Sequence, residues 1–507
     1  MIAVLLLAVL ATVKPAAVFT DHMVLQRDRP VPVWGTAAPG EKVTVAFAGQ
    51  TRSAVADSAG QWQVELAPLK VSCEPRTLEI SSGNRTITQS PSQTTLRDIL
   101  VGDVWLISGQ SNAEMSMRSV IGKDEVLSRA KDFPLIRRMK VSKVVAPSVR
   151  TECPNTPWEV GTNDAVLAWT AVGYYFARKV SESERIPIGI IDNNWSGCRI
   201  EPFIDPAVLA KAAGLEADAA KMAAAESAYA AAAKAAANWT GGPIPKVDRA
   251  VAPDLPYGGQ FNCMIAPYVK FPIRGALWYQ GCSNGSEGES YFNKLMALVR
   301  GWRARWGGEF PFYIVQLASY RKGNDLPEGG DGYAKIREAQ RKAASVLPKS
   351  GLVVTVDIGN ATDIHPKNKR DVGERAARWA LRNEYGHTEI EPSGPVFRSC
   401  VPEKGRLRVS FDHVGKGLMV GEKGPDTPGV LPKEIPTGEL KGFAVAGVDR
   451  KWHWAKAEIS GKDLLVGAAE VPEPVAVRYA YRSCPLGVCN LYNRDGLPAS
   501  PFRSDDW

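Results

Sequence analysis

A chain of 507 residues with 45% hydrophobic and 23% charged content is long enough for two to four domains and is composed like an ordinary globular protein, not a disordered or fibrous one. The formal net charge of +8 is small for this length. Lys and Arg are scattered, with no basic stripe interleaved with aromatics, so nucleic acid is not an expected partner.

Residues 1–11, "MIAVLLLAVLA", form the most apolar run. It is too short to cross a bilayer, which takes about 20 residues, so no membrane span is expected. The run has the character of a secretory signal, with Val9-Leu10-Ala11 at the cleavage position, and predicts export to a periplasmic or extracellular space. The alternative is a buried first strand. From 18 to 97, alternating segments such as "GQWQVELAPL" and "RTLEISSGN" are separated by Gly-, Pro- and Asn-rich turns and predict a small β-sandwich-like domain.

From 98 to 386 the pattern becomes strand–helix alternation. Apolar runs at Val104–Ile107, Ile186–Ile191, Ile273–Tyr279, Phe312–Leu317 and Leu352–Val356 are separated by amphipathic stretches such as "YFNKLMALVRGWRARW". This predicts an α/β domain with a parallel sheet covered on both faces. An alanine-rich segment, 206–238, interrupts it as a helical insertion. From 391 to 507 the β pattern returns, as in "GRLRVSFDH" and "VAVRYAYRS", and predicts a C-terminal β domain.

In an open parallel sheet, sites form beyond the carboxyl ends of the strands. Ser108-Gly109-Gln110-Ser111-Asn112 follows the first run, Trp195-Ser196-Gly197 the second, and "QGCSNG" (280–285) the third. Asp357, Asp363 and His365 follow the last. Small polar groups and a His–Asp pair gathered on one edge suit acyl transfer.

Ser111 is a nucleophile only if a base takes its proton; otherwise a serine entering a helix is an N-cap. His365 precedes Pro366, which favours extended backbone and places the imidazole on a loop. There it can act as base, its tautomer held by Asp363 or a main-chain carbonyl. Asn284 and Gly197 offer an amide and a backbone N–H to an oxyanion. Eight cysteines permit disulfides, with Cys484 and Cys489 the nearest local pair. The five histidines are widely separated, and no Cys–His cluster has zinc spacing, so neither a metal nor another cofactor is expected.

"VFTDHMVLQRDRPVPVWG", "LVGDVWLISGQSNAEM", "PIGIIDNNWSGCRIEPF", "ALWYQGCSN", "DIHPKNKRDVGERAARWAL" and "CNLYNRDGLPASPF" occur in this order from near residue 18 to near 503. Together they resemble the sialate O-acetylesterase family, within the SGNH hydrolases. The resemblance implies a flavodoxin-like SGNH hydrolase core with flanking β domains. It also implies a metal-independent serine esterase that removes acetyl groups from an acetylated carbohydrate. By motif, Ser111 matches the nucleophile, His365 the base, and Ser111, Gly197 and Asn284 the oxyanion hole. Asp363 stands as orienter, one residue closer to the histidine than is usual, with Asp357 as substitute.

Gln110, Arg199, Glu201 and Gln280 adjoin these motifs and are expected to touch the sugar. Cys282 replaces a customary glutamate and Cys198 a customary threonine, and a Cys198–Cys282 disulfide pinning the oxyanion loops is expected from their neighbouring positions. Two rival functions stay open at the level of sequence. One is an acetylesterase acting on xylan or another plant or algal glycan. The other is an inactive carbohydrate-binding protein on a hydrolase scaffold.

Overall fold

The computed structural model describes residues 13–83, 92–162, 164–237, 258–288 and 290–507. The apolar leader, 1–11, therefore lies outside the described residues.

The centre is a sheet whose parallel strands run, across the sheet, Ile136–Lys140, Ile188–Asn194, Ser92–Gly109, Gly275–Tyr279, Phe312–Val315 and Ser350–Val353. The short strand Glu159–Val160 is added antiparallel at one edge. Val104, Trp105, Ile107, Ala276 and Trp278 are fully or almost fully buried, as continuous apolar strands require when both faces are covered. Helices Ala171–Glu184 and Arg370–Glu384 pack on each other, as do Ser290–Trp306 and Tyr333–Val346. The close approach within the first pair depends on Gly373, where a Cβ would meet Tyr175 and the Val172 carbonyl.

The expected junction near residue 98 falls inside one continuous strand, Ser92–Gly109. Its first part pairs antiparallel with Ser72–Ser82, and its second part pairs parallel with Ile188–Asn194 and Gly275–Tyr279. The N-terminal β layer thus shares a sheet with the α/β layer. Within that β layer, Gln61–Leu66 alternates strictly between exposed and buried positions, the pattern of a strand with one solvated face.

The alanine-rich segment forms the helix Glu216–Ala237 after a short turn at Pro206–Leu209 capped by Asp205. Beyond residue 391, strands Val396–Glu403 to Phe502–Arg503 build three antiparallel sheets. They dock on the α/β layer through Arg337. Its fully buried guanidinium donates to the carbonyls of Leu317 and Ala318 on one side and of Arg482 and Ser483 on the other.

Candidate active site

Gly109 ends the first central strand at φ +141°, and a Cβ there would stand 2.2 Å from the Tyr279 carbonyl oxygen. Only glycine tolerates that approach. It lets the Gln110 N–H reach Tyr279 O and the Trp195 N–H reach Gly109 O, so three strand ends meet at Ser111. Gln110, not Ser111, holds the N-cap position of the helix Ser111–Glu114. The serine is therefore the first helical residue, and the N-cap alternative falls away.

Ser111 Oγ lies 2.8 Å from His365 Nε2. The histidine arrives on a loop tied at two points. Asn360 Oδ1 accepts the Thr362 and Asp363 main-chain N–H groups, and Asn112 Nδ2 donates to the Ile364 carbonyl at 2.9 Å. Asp363 Oδ1 accepts the His365 main-chain N–H at 2.9 Å and stands 3.8 Å from Nδ1, beyond hydrogen-bond length. Asp357 is not a substitute: it is buried and takes both guanidinium arms of Arg375 at 2.7 and 2.8 Å.

Burial and then the Lys369 charge lower the His365 pKa from its ordinary 6.5, with Lys367 adding to them and Asp363 opposing. A base works only when neutral, so activity is expected to persist into mild acid. Its acid limb should have a midpoint below 6.5, read from a pH–kcat/KM profile on p-nitrophenyl acetate.

Gly197, expected to serve an oxyanion, is exposed at φ +75° with open space where a side chain would stand. Neither its N–H nor that of Ser111 donates to any group among the described residues. The loop is held by Glu114, whose carboxylate accepts the Ser196 N–H and Oγ–H and pairs with Lys143 at 2.6 Å. Burial works against that carboxylate's charge, but Lys143, Ser196 and Lys140 hold it below the ordinary range.

Asn284 is fully buried. Its carbonyl accepts from the Ile200 N–H and Gln280 Nε2, which fixes the amide orientation. Its Nδ2 lies 3.1 and 3.3 Å from the two Glu201 oxygens. Those oxygens are too close together to take both of the divergent amide hydrogens, so one N–H serves the carboxylate and the other is left.

The sugar-contact expectation needs correcting for three residues, all of them buried. Gln110 Oε1 accepts the Gly281 N–H, Gln280 bonds Cys198 O, Asn284 and Tyr291, and Glu201 receives Lys294, Asn284 and Arg199. Each stitches one strand-end loop to another. Only Arg199 of the four is substantially exposed, and it pairs with Glu201 and Glu287. The expected Cys198–Cys282 disulfide is also absent, because all eight cysteines are free thiols. Cys198 Sγ faces the Gly109 carbonyl, whereas Cys282 faces Tyr333 and Asn112.

Sequence reasoning missed Glu114, Asn112, Lys294 and Lys369. Asn112 and Glu114 lie within the "GQSNAEM" run itself and Lys369 within the "DIHPKNKRDVG" run, where a lysine before a helix reads as solvent-exposed, whereas Lys294 sits in an amphipathic helix away from the motifs.

The family described as "Carbohydrate esterase, sialic acid-specific acetylesterase" matches residues 254–382, a span that includes Asn284 and His365. Human sialate O-acetylesterase is 26% identical over 529 residues, covering 96% of this chain and 91% of that protein. The mouse sialate O-acetylesterase is 25% identical, with 96% and 93% covered. The crystal structure of a carbohydrate acetylesterase from Xanthomonas citri superimposes with a TM-score of 0.80 at 33% identity, covering 98% of this chain and 100% of that one.

Proposed function

As the chain belongs to the sialate O-acetylesterase family of carbohydrate esterases, which hydrolyse O-acetyl esters on carbohydrates, we propose that Ser111 is its nucleophile and His365 its general base. The observation that carries this reading is the 2.8 Å contact between Ser111 Oγ and His365 Nε2 at the carboxyl edge of the sheet. Leaving aside the outer parallel strand Ile136–Lys140, the five strands Ser92–Gly109, Ile188–Asn194, Gly275–Tyr279, Phe312–Val315 and Ser350–Val353 lie in the spatial order 2-1-3-4-5, the flavodoxin-like order. That order supports an SGNH hydrolase core.

In the first step His365 Nε2 takes the Ser111 proton as Oγ attacks the acetyl carbonyl. The tetrahedral oxyanion is held by the Ser111 and Gly197 N–H groups and the remaining Asn284 N–H. Collapse returns the proton to the departing sugar oxygen and leaves acetyl-Ser111. Water, deprotonated by the same imidazole, then releases acetate and free serine. Asp363 has only a small movement to make to hydrogen-bond Nδ1, and it orients the base through the loop it already braces.

The substrate class proposed is an O-acetylated sialic acid, with Arg199, which pairs with Glu201 and Glu287, and Lys140 and Lys143, which pair with Glu114, as the candidate cations for its carboxylate. Acetate release from a panel of O-acetyl sialic acids and acetylated xylan tests this. Release is expected from the sialic acids. Release from xylan alone would move the reading to a neutral-glycan esterase, and release from neither to an inactive scaffold. Export also remains part of the proposal; among the described residues no helix is long and apolar enough to cross a membrane.

A further inference from the structure

Lys369 directly precedes the helix Arg370–Glu384 and is completely buried. Its Nζ donates to Asn112 Oδ1 at 2.5 Å and lies 5.5 Å from the centre of the Tyr279 ring. Among the described residues no carboxylate comes within ion-pair distance of it. A buried ammonium without a counter-ion is costly, so one that persists has consequences for its neighbours. Asn112, which accepts from Lys369, adjoins Ser111 and donates to Ile364, the residue before His365. One buried amide therefore links lysine, nucleophile and base.

We propose that Lys369 is a positioning residue for the base, holding the nucleophile helix against the His365 loop through Asn112 and keeping His365 neutral by its uncompensated charge. The proposal rests on His365 being the base.

The groups around this centre decide the sign. Burial lowers the Lys369 pKa to about 7, with Lys367 adding to it and Cys282 and Asp363 opposing. As pH falls, Lys369 is thus charged before His365 titrates, and its charge then resists imidazole protonation. Cys282 faces Lys369 from the third strand-end loop, but burial pushes its thiol up, so it stays neutral and offers no screening charge. Tyr333 and Arg337, on the helix Tyr333–Val346, face Cys282, and Tyr333 is itself raised by burial. On the base's own loop Asp363 is the one carboxylate facing the imidazole, and it is solvent-exposed enough to be screened.

The test is the acid limb of the pH–kcat/KM profile on p-nitrophenyl acetate for the wild type, Lys369→Met, Lys369→Arg, Cys282→Glu and Cys282→Ser. Lys369→Met is expected to move the midpoint up by roughly 0.5–1 pH unit, and Lys369→Arg to leave it in place. Cys282→Glu puts a carboxylate beside the ammonium while keeping the bond to Asn112. It is expected to move the midpoint in the same direction, with Cys282→Ser as the unmoved control. Should Lys369→Met fail to fold, Cys282→Glu decides alone. A limb that stays put in Cys282→Glu and in any folded Lys369→Met overturns the proposal and leaves Lys369 a structural residue. A wild-type profile with no acid limb overturns the assignment of His365 itself.

Discussion

Ser111→Ala is expected to lower kcat on p-nitrophenyl acetate by on the order of 10⁶-fold, the loss seen when the nucleophile of a serine triad is removed. Its Oγ reaches His365, and the backbone that holds the turn is made by Gly109, Gln110 and Tyr279. Alanine is the better helix former at this position, so stability should change by less than about 1 kcal/mol. The variant then separates chemistry from folding: thermal unfolding should match the wild type while turnover vanishes. Equal turnover by the two proteins would mean that another group attacks the ester, and the Ser111–His365 contact would be incidental. Brief acid quenching of the wild type during turnover should leave one acetyl group on the peptide that contains Ser111.

The strands carrying the site were legible because each is a continuous apolar run ended by small polar residues. That signature exists only when a strand is buried on both faces and opens into a site at its carboxyl end. The junction near 98 was not legible. Residues 92–97 are polar apart from Leu96 and 104–107 read as a core strand, yet both belong to one strand, and composition changes where the partners change.

Ser111, His365 and Asn284 were legible as candidates from local motifs. The environment of Asn284 was not, since its carboxylate partner Glu201 comes from another strand-end loop and is held by Lys294 from the helix Ser290–Trp306. The same applies to the misplaced sugar contacts. Gln110, Glu201 and Gln280 are polar residues beside a site, and sequence alone does not tell a polar group facing a ligand from one bonded to the next loop. The disulfide expectation failed for a related reason, because neighbouring loops do not imply facing thiols.

Glu201 provides the second large effect. Its Oε1 accepts Lys294 Nζ at 2.6 Å, Arg199 Nη2 at 3.0 Å and Asn284 Nδ2 at 3.1 Å, all around a carboxylate that is 2% exposed. Removing one partner of a buried ion pair typically costs about 3–5 kcal/mol. Lys294 keeps Glu287 at 2.7 Å and Asp218 at 3.3 Å, so Glu201→Ala should lie near the low end, about 3 kcal/mol, read as a lowered urea midpoint.

Among molecules that remain folded, Asn284 loses the carboxylate that takes one of its N–H groups, so only the Ile200 and Gln280 bonds to its carbonyl are left to aim the proposed oxyanion donor. One such donor is worth about 2.7–4 kcal/mol of transition-state stabilisation. The kcat of Glu201→Ala should therefore fall by up to roughly 10²–10³-fold, even on p-nitrophenyl acetate, which has no sugar. A residue that merely held the sugar would raise KM on glycan esters and leave the small ester untouched. Asn284→Ala should show the same loss, and the double variant should be no worse than Asn284→Ala alone, because the two residues act through one amide. Additive losses would place Glu201 outside the oxyanion chain and return it to the sugar pocket.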